Sequence, residues 1–193
     1  AKRLHRKSNK EAQLEEISAL NADLDKHVVI CGYGRVGQSI GRCLRHQQQP
    51  YIALDHDAVR VEEAAVSESC VHYGDSRRGE LLVAVGLARA KLLVIAVDQT
   101  DIALEILKEA RRVNSRVPIL VRTRDDSHLT ELKEADASEV VPELLESSLM
   151  LASHALIMLG LPAHQVQERA DQIRHDRYRM LHDFYPGAED AEK

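Results

Sequence analysis

The chain alternates short apolar runs with longer amphipathic stretches, and from His27 onward the alternation is regular. Six apolar runs read as strands: HVVIC (27–31), YIALD (51–55), CVHY (70–73), LLVIAV (92–97), PILVR (118–122) and SEVV (138–141). Between them, apolar residues recur at helical spacing and predict helices over Arg35–Gln47, Ala58–Ser69, Arg78–Val85, Asp101–Val113 and Ser127–Ala135. The fourth strand is apolar without interruption, as expected of a central parallel strand covered on both faces. Strands alternating with helices mean βαβ units, and right-handed crossovers restrict how such units join. The pattern predicts an α/β fold: a Rossmann-like, doubly wound, parallel six-stranded sheet in the order 3-2-1-4-5-6. A crevice should lie outside the C-terminal ends of strands one and four.

The two ends of the chain break this rhythm. Lys2, Arg3, Arg6, Lys7 and Lys10 form a basic end, followed by Glu11, Glu15, Glu16, Asp23 and Asp25. Leu14, Ile17 and Leu20 fall about one turn apart, which predicts a helix over Lys10–Leu20. Residues 1–26 read either as a solvated linker or as a segment leaving a membrane on its cytoplasmic side, where basic residues accumulate. Beyond strand six, Glu143–Leu159 is strongly apolar and closed by Gly160, and a polar helix is expected from Pro162 to about Met180. The expected division is a linker (1–26), a nucleotide-binding unit (27–142), a C-terminal helical extension (143–184) and a tail (185–193). The apolar helix can bury its face against its own sheet or against a second copy of the chain.

Composition narrows the chemistry. At 193 residues and 44% hydrophobic, the chain supports one packed domain plus an appendage. Lys+Arg 26 against Asp+Glu 31 gives a net charge of −5, which argues against nucleic acid as a partner and leaves small anions open. Cys31, Cys43 and Cys70 make no C-x-x-C, so neither a disulfide framework nor a zinc site is expected and a reducing compartment is the plain reading. Cys31 and Cys43 read as small buried apolar residues. No apolar run approaches the roughly 18–20 residues of a membrane span.

The candidate chemistry sits where strand one meets the first helix. Gly32, Gly34 and Gly37 form G-x-G-x-x-G after a strand and at the opening of a helix, the context that this spacing needs to mean nucleotide. Gly32 allows a tight turn, Gly34 lets phosphate approach the backbone, and Gly37 lets helix and strand pack closely, with Gly41 extending that small-residue face. The helix start, with Arg35 and Val36 in the loop, offers free amides and partial positive charge to a phosphate. Asp55 closes strand two about 18 residues beyond Gly37, where a carboxylate accepts ribose hydroxyls and disfavours a 2′-phosphate. His56 lies beside it at the adenosine end. Gly74 and Asp75 follow strand three, as a base-side rim or as a simple turn. Asp98 follows strand four, as a rim residue or as the cap of the next helix in competition with Thr100. The rival reading of the whole set is a degenerate Rossmann crevice that holds nothing.

Hydride transfer would need a proton donor near a nicotinamide. Of the histidines, His56 and His72 lie at the wrong end, and His128 follows strand five without an obvious orienting partner. What remains after strand six is too short for a substrate domain, so the residues favour a sensor over an enzyme. Arg122 and Arg124 at the end of strand five share a face by alternation. They suit either an anion or ion pairs with Asp125 and Asp126.

The ordered set GYGRVGQSIGR, LDHD, YGD, VIAVDQT, VRTRD and ASEVVPE resembles the KTN/RCK (TrkA-N) domain of potassium transport proteins, over about Lys26 to Glu143. LMLASHALIMLGLP and QERADQIRHDRYRML resemble the cytoplasmic C-terminal domain of Kef-type potassium/proton antiporters. The resemblance implies a homodimer that binds AMP or NAD(H) and controls a membrane-embedded transport domain of the same longer chain, at the cytoplasmic face of the bacterial inner membrane. It implies Gly32, Gly34, Arg35 and Gly37 at the phosphates, Asp55 at the ribose, and Asp75 and Asp98 on the adenine side; Val36, His56 and Gly74 are expected in the same cofactor site. PELLE places Leu144 where glutathione-gated relatives carry a basic residue, whereas Arg42 matches a basic position on the first helix. The alternatives are a free-standing subunit of a Trk-type potassium uptake system and a small NAD-dependent oxidoreductase.

Overall fold

The computed structural model describes residues 2–66, 70–176 and 178, with side chains from Lys10 onward. Its first half runs α1 (Lys2–Leu20), β1 (Val28–Cys31), α2 (Arg35–His46), β2 (Tyr51–Asp55), α3 (Ala58–Ala65), β3 (Val71–Tyr73) and α4 (Gly79–Ala84). A short 3-10 turn, Leu87–Arg89, leads into β4 (Leu92–Ile95) and α5 (Thr100–Val113). Then come β5 (Ile119–Thr123), α6 (Leu129–Glu134), β6 (Glu139–Pro142), α7 (Glu143–Met158) and α8 (Ala163–His175).

The six strands form one sheet in the order β3-β2-β1-β4-β5-β6, as the alternation of apolar runs predicts. Successive residues point to opposite faces, and the strands sort accordingly. Val29, Cys31, Ile52, Leu54, Leu93 and Ile95 pack one core with α4 and α5. Val28, Ile30, Tyr51, Ala53 and Val94 pack the other with Val36, Ile40 and Leu44 of α2. Every residue of β1 and β2 is buried, so these strands carry no solvent-facing side. That is the reason they read as unbroken apolar runs.

The chain divides into two compact units, Ala1–Thr123 with Ser127–Val141, and Arg124–Asp126 with Pro142–Lys193. In the first, α1 begins at Lys2 rather than Lys10, and one face of its later turns is packed against the sheet unit while the rest stays exposed. Ile17 is 4% exposed within the core that also holds Leu81 and Leu82 of α4. Gln13 Nε2 donates to the Tyr73 carbonyl at 3.1 Å, and Lys26 N donates to the Arg89 carbonyl at 3.0 Å. The stretch expected as a linker is therefore fastened to β3 and to the turn before β4. In the second unit, Leu145 and Leu149 of α7 pack against Ala170 and Ile173 of α8. Arg174 grips Glu146 through Nε and Nη2, both at 3.0 Å.

Cys31 is buried, but Cys43 is exposed, because it lies on the outer side of α2 while Gly37 and Gly41 take the inner side. The expected tail at 185–193 lies outside the described residues.

Candidate nucleotide site

The C-terminal ends of β1 to β4 lie side by side, which gathers the glycine loop, Asp55, Gly74–Asp75 and Asp98 along one margin of the sheet. The loop is built by steric exclusion. Gly32 has φ +94°, a left-handed conformation, and a Cβ there would meet the Val97 backbone nitrogen at 3.1 Å. A Cβ on Gly37 would lie 2.1 Å from the Gly32 carbonyl oxygen, so helix and loop touch backbone to backbone. Gly34 contributes no side chain to cap α2, leaving the start of the helix to a ligand. A Cβ on Gly34 would find a single described heavy atom within 4 Å, Nη1 of Arg60 at 4.0 Å. That is room for a phosphate approach of the kind this motif makes. Arg35 is exposed and Val36 half-buried at the first turn.

Asp55 is 3% exposed and is held by three donors. Its Oδ2 accepts from Tyr33 N at 2.6 Å and Arg60 Nη1 at 2.9 Å, and its Oδ1 accepts from Asp57 N at 2.8 Å. Burial alone would push the carboxyl up; the amides of Asp57 and Tyr33 and the Arg60 guanidinium outweigh it and hold the pKa below the usual carboxylate range. The anion is therefore kept charged and aimed across the glycine loop. Exposed His56 sits with Nδ1 3.8 Å from Asp55 Oδ1.

Gly74 N donates to the Asp55 carbonyl at 2.8 Å, bringing the end of β3 against the end of β2. A Cβ on Gly74 would lie 2.5 Å from Leu81 Cδ1, so this glycine also makes room for α4. Asp75 holds its own turn: Arg77 donates from N at 3.0 Å, from Nε at 2.9 Å and from Nη2 at 2.7 Å. The Arg77 contact, ahead of burial, lowers the Asp75 pKa. Asp98 does not cap α5, whose cap position is Gln99. It is exposed and pairs with Arg122 Nη2 at 2.9 Å, and Arg122 Nη1 also donates to the Ala96 carbonyl at 3.1 Å. Val97, beside Gly32, links this end of β4 to the loop.

Three features were not read from the sequence. Tyr33, inside the glycine motif, is 1% exposed, and its hydroxyl meets that of Tyr51 at 2.8 Å. A Cβ on Gly41 would strike both hydroxyls at 2.8 Å, so that glycine seats the pair. Arg60 is the second. Asp57 caps α3 by accepting from the amides of Val59 and Arg60, and this turns the helix start back over the strand end. The sequence carries only part of the signal: an Asp cap three residues before an arginine puts both on the first turn of the helix, and packing decides which carboxylate the arginine meets. The third is the partner of His128: Glu131 Oε2 lies 3.1 Å from its Nδ1 in an exposed pair on α6. That pair holds the ring at the helix surface.

Comparison with known proteins bears on this geometry. The family model of the TrkA-N domain matches residues 28–143. The putative K(+) efflux antiporter KefB of Alkalimonas amylolytica is 45% identical over 170 residues, covering 88% of this chain and 26% of that protein. The glutathione-regulated potassium-efflux system protein KefC of Salmonella arizonae is 32% identical over 163 residues, 84% of this chain and 26% of its own length. The chain thus spans about a quarter of the length of these curated relatives, both named as potassium-efflux proteins. Among solved structures, the Shewanella denitrificans Kef CTD in its AMP-bound form aligns with TM-score 0.67 at 32% identity, over 81% of this chain and 96% of that one.

Proposed function

The chain belongs to the TrkA-N domain family, and from that premise we propose that it is the nucleotide-sensing regulatory part of a potassium-efflux transporter. Its ligand is an adenine nucleotide, AMP or NAD(H). The observation that carries this reading is the pairing of a charged, buried Asp55 with an uncapped helix start across a glycine loop. An acceptor pair for a ribose and a donor cluster for a phosphate are the two halves of one adenosine phosphate. The residues fit the group: Gly32, Gly34, Arg35, Val36 and Gly37 take the phosphate, Asp55 and His56 the ribose, and Gly74, Asp75 and Asp98 the base side. The AMP-bound relative supports AMP as the first ligand to try.

No bond is made or broken in this scheme. A ligand that prefers one arrangement of the domain shifts the population toward it, by no more than its differential affinity. The transport domain in this scheme belongs to the same longer chain, at the cytoplasmic face of the membrane, and feels the shift through residues 1–26 or through α7 and α8. The exposed apolar residues of α7, among them Leu151 at 74% and Met158 at 87%, support a homodimer closed through that helix.

Calorimetry tests the reading. AMP and NAD(H) should bind, and Asp55→Ala should weaken both by about tenfold or more, as expected for a lost charge-assisted hydrogen bond. If neither ligand binds at millimolar concentration, the proposal fails.

A further inference from the structure

The three donors on Asp55 are not equivalent. Two are main-chain amides, Tyr33 N and Asp57 N, fixed by the loop and by the helix cap. The third, Arg60 Nη1, is a side chain on an α3 residue whose own side chain is 36% exposed. Asp55 Oδ2 already receives one amide, so the guanidinium occupies its remaining open direction. Nη1 is also the single described heavy atom within 4 Å of where a Gly34 side chain would start. The guanidinium therefore spans the gap between the ribose acceptor and the phosphate loop.

We infer that Arg60 is a resident competitor for the ribose subsite: a ribose hydroxyl reaches Oδ2 of Asp55 only by displacing the Arg60 guanidinium. The inference rests on the nucleotide reading above and deepens it. The displaced group has somewhere to go, because Arg60 Nη2 already lies 3.3 Å from Asp57 Oδ2 at the start of the same helix. The exchange replaces one donor on Asp55 by ribose hydroxyl donors and leaves the amides of Tyr33 and Asp57 in place. A partly exposed ion pair must be broken at each binding event, so the resident arginine raises the nucleotide concentration at which the domain responds.

The test is titration of the whole chain and of Arg60→Met, with Arg60→Lys as a second variant, against AMP and against adenosine. Removing the competitor should tighten both ligands by about two- to fivefold, the value of one partly exposed ion pair. Arg60→Lys, which keeps the charge and loses the fork, should fall between. Adenosine carries no charge of its own, so its affinity for the unaltered chain should rise as salt screens the Arg60–Asp55 pair. It should be flat with salt in Arg60→Met. If Arg60→Met weakens AMP while leaving adenosine unchanged, Arg60 is a phosphate ligand and the inference is overturned. Equal affinities in all three proteins overturn it as well. If neither the unaltered chain nor Arg60→Met binds either ligand, the nucleotide reading itself falls, a result distinct from the other two.

Discussion

The glycine-loop end of the first unit and the α7 helix of the second solve opposite problems. Around the loop, buried polar groups find partners inside the chain: Asp55 takes three donors, and the Tyr33 and Tyr51 hydroxyls take each other. Room is made by removing side chains, at Gly32, Gly37 and Gly41. On α7, Leu145 and Leu149 are buried, while Leu144, Met150, Leu151 and Met158 stay exposed. A region that satisfies its own polar groups needs no partner for them. A helix that leaves large apolar groups in water is ready for a macromolecular partner.

The sharpest way to break this comparison is Gly37→Ala. A methyl 2.1 Å from the Gly32 carbonyl oxygen cannot be absorbed by a flexible side chain, since backbone faces backbone. We expect a loss of about 3 kcal/mol or more in urea unfolding, at the upper end of overpacking effects. Normal stability in the Gly37→Ala protein would show that loop and helix are not in contact.

A smaller effect comes from two histidines of the same unit. His27 is fully buried; its Nε2 donates to the Val85 carbonyl at 2.8 Å, leaving buried Nδ1 with no partner among the described residues. Burial lowers its pKa, and burial likewise lowers that of His72, whose Nε2 meets Asn21 Nδ2 at 3.2 Å. Both therefore take up protons in the unfolded chain, near the ordinary value of 6.5, before they do so in the folded one. Stability should be fully present above pH 6.5, fall as the pH drops below it, and level off beneath the lowered folded values. Urea midpoints at a series of pH values read this directly. A midpoint that rose on acidification through that window would contradict it.

The smallest effect on folding, with a large one on assembly, is expected on α7. Leu151→Glu combined with Met158→Glu changes two residues that are 74% and 87% exposed, so stability should move by no more than about 0.5 kcal/mol. If the homodimer proposed above closes through α7, sedimentation equilibrium should nevertheless show it giving way to monomer. A dimer that survives both charges places the contact elsewhere.

The strands, their order and the glycine loop were legible because each rests on local chemistry. Strands buried on both faces make apolar runs, and a turn with φ +94°, or a position where a Cβ would fall 2.1 Å from a carbonyl oxygen, calls for glycine. Asp55 was legible for the same reason: a carboxylate at the end of the second strand has one place to be. Cys43 was misread because a helical cysteine can face either way, and here Gly37 and Gly41 hold the inner side. The partner of Asp98 was hidden because Arg122 arrives from the neighbouring strand.

By itself, then, the sequence determined the doubly wound sheet, the glycine loop with its uncapped helix start and the acidic end of β2, since these follow from spacing within a few residues. Tertiary structure alone decided that Arg60 lies on Asp55, that Arg122 lies on Asp98, and that α1 is fastened to β3. It also decided which residues of α7 stay in water. The physical reason is reach. A long charged side chain has several carboxylates within its radius, and a helix has several faces, so the choice is made only when packing brings one candidate within about 3 Å.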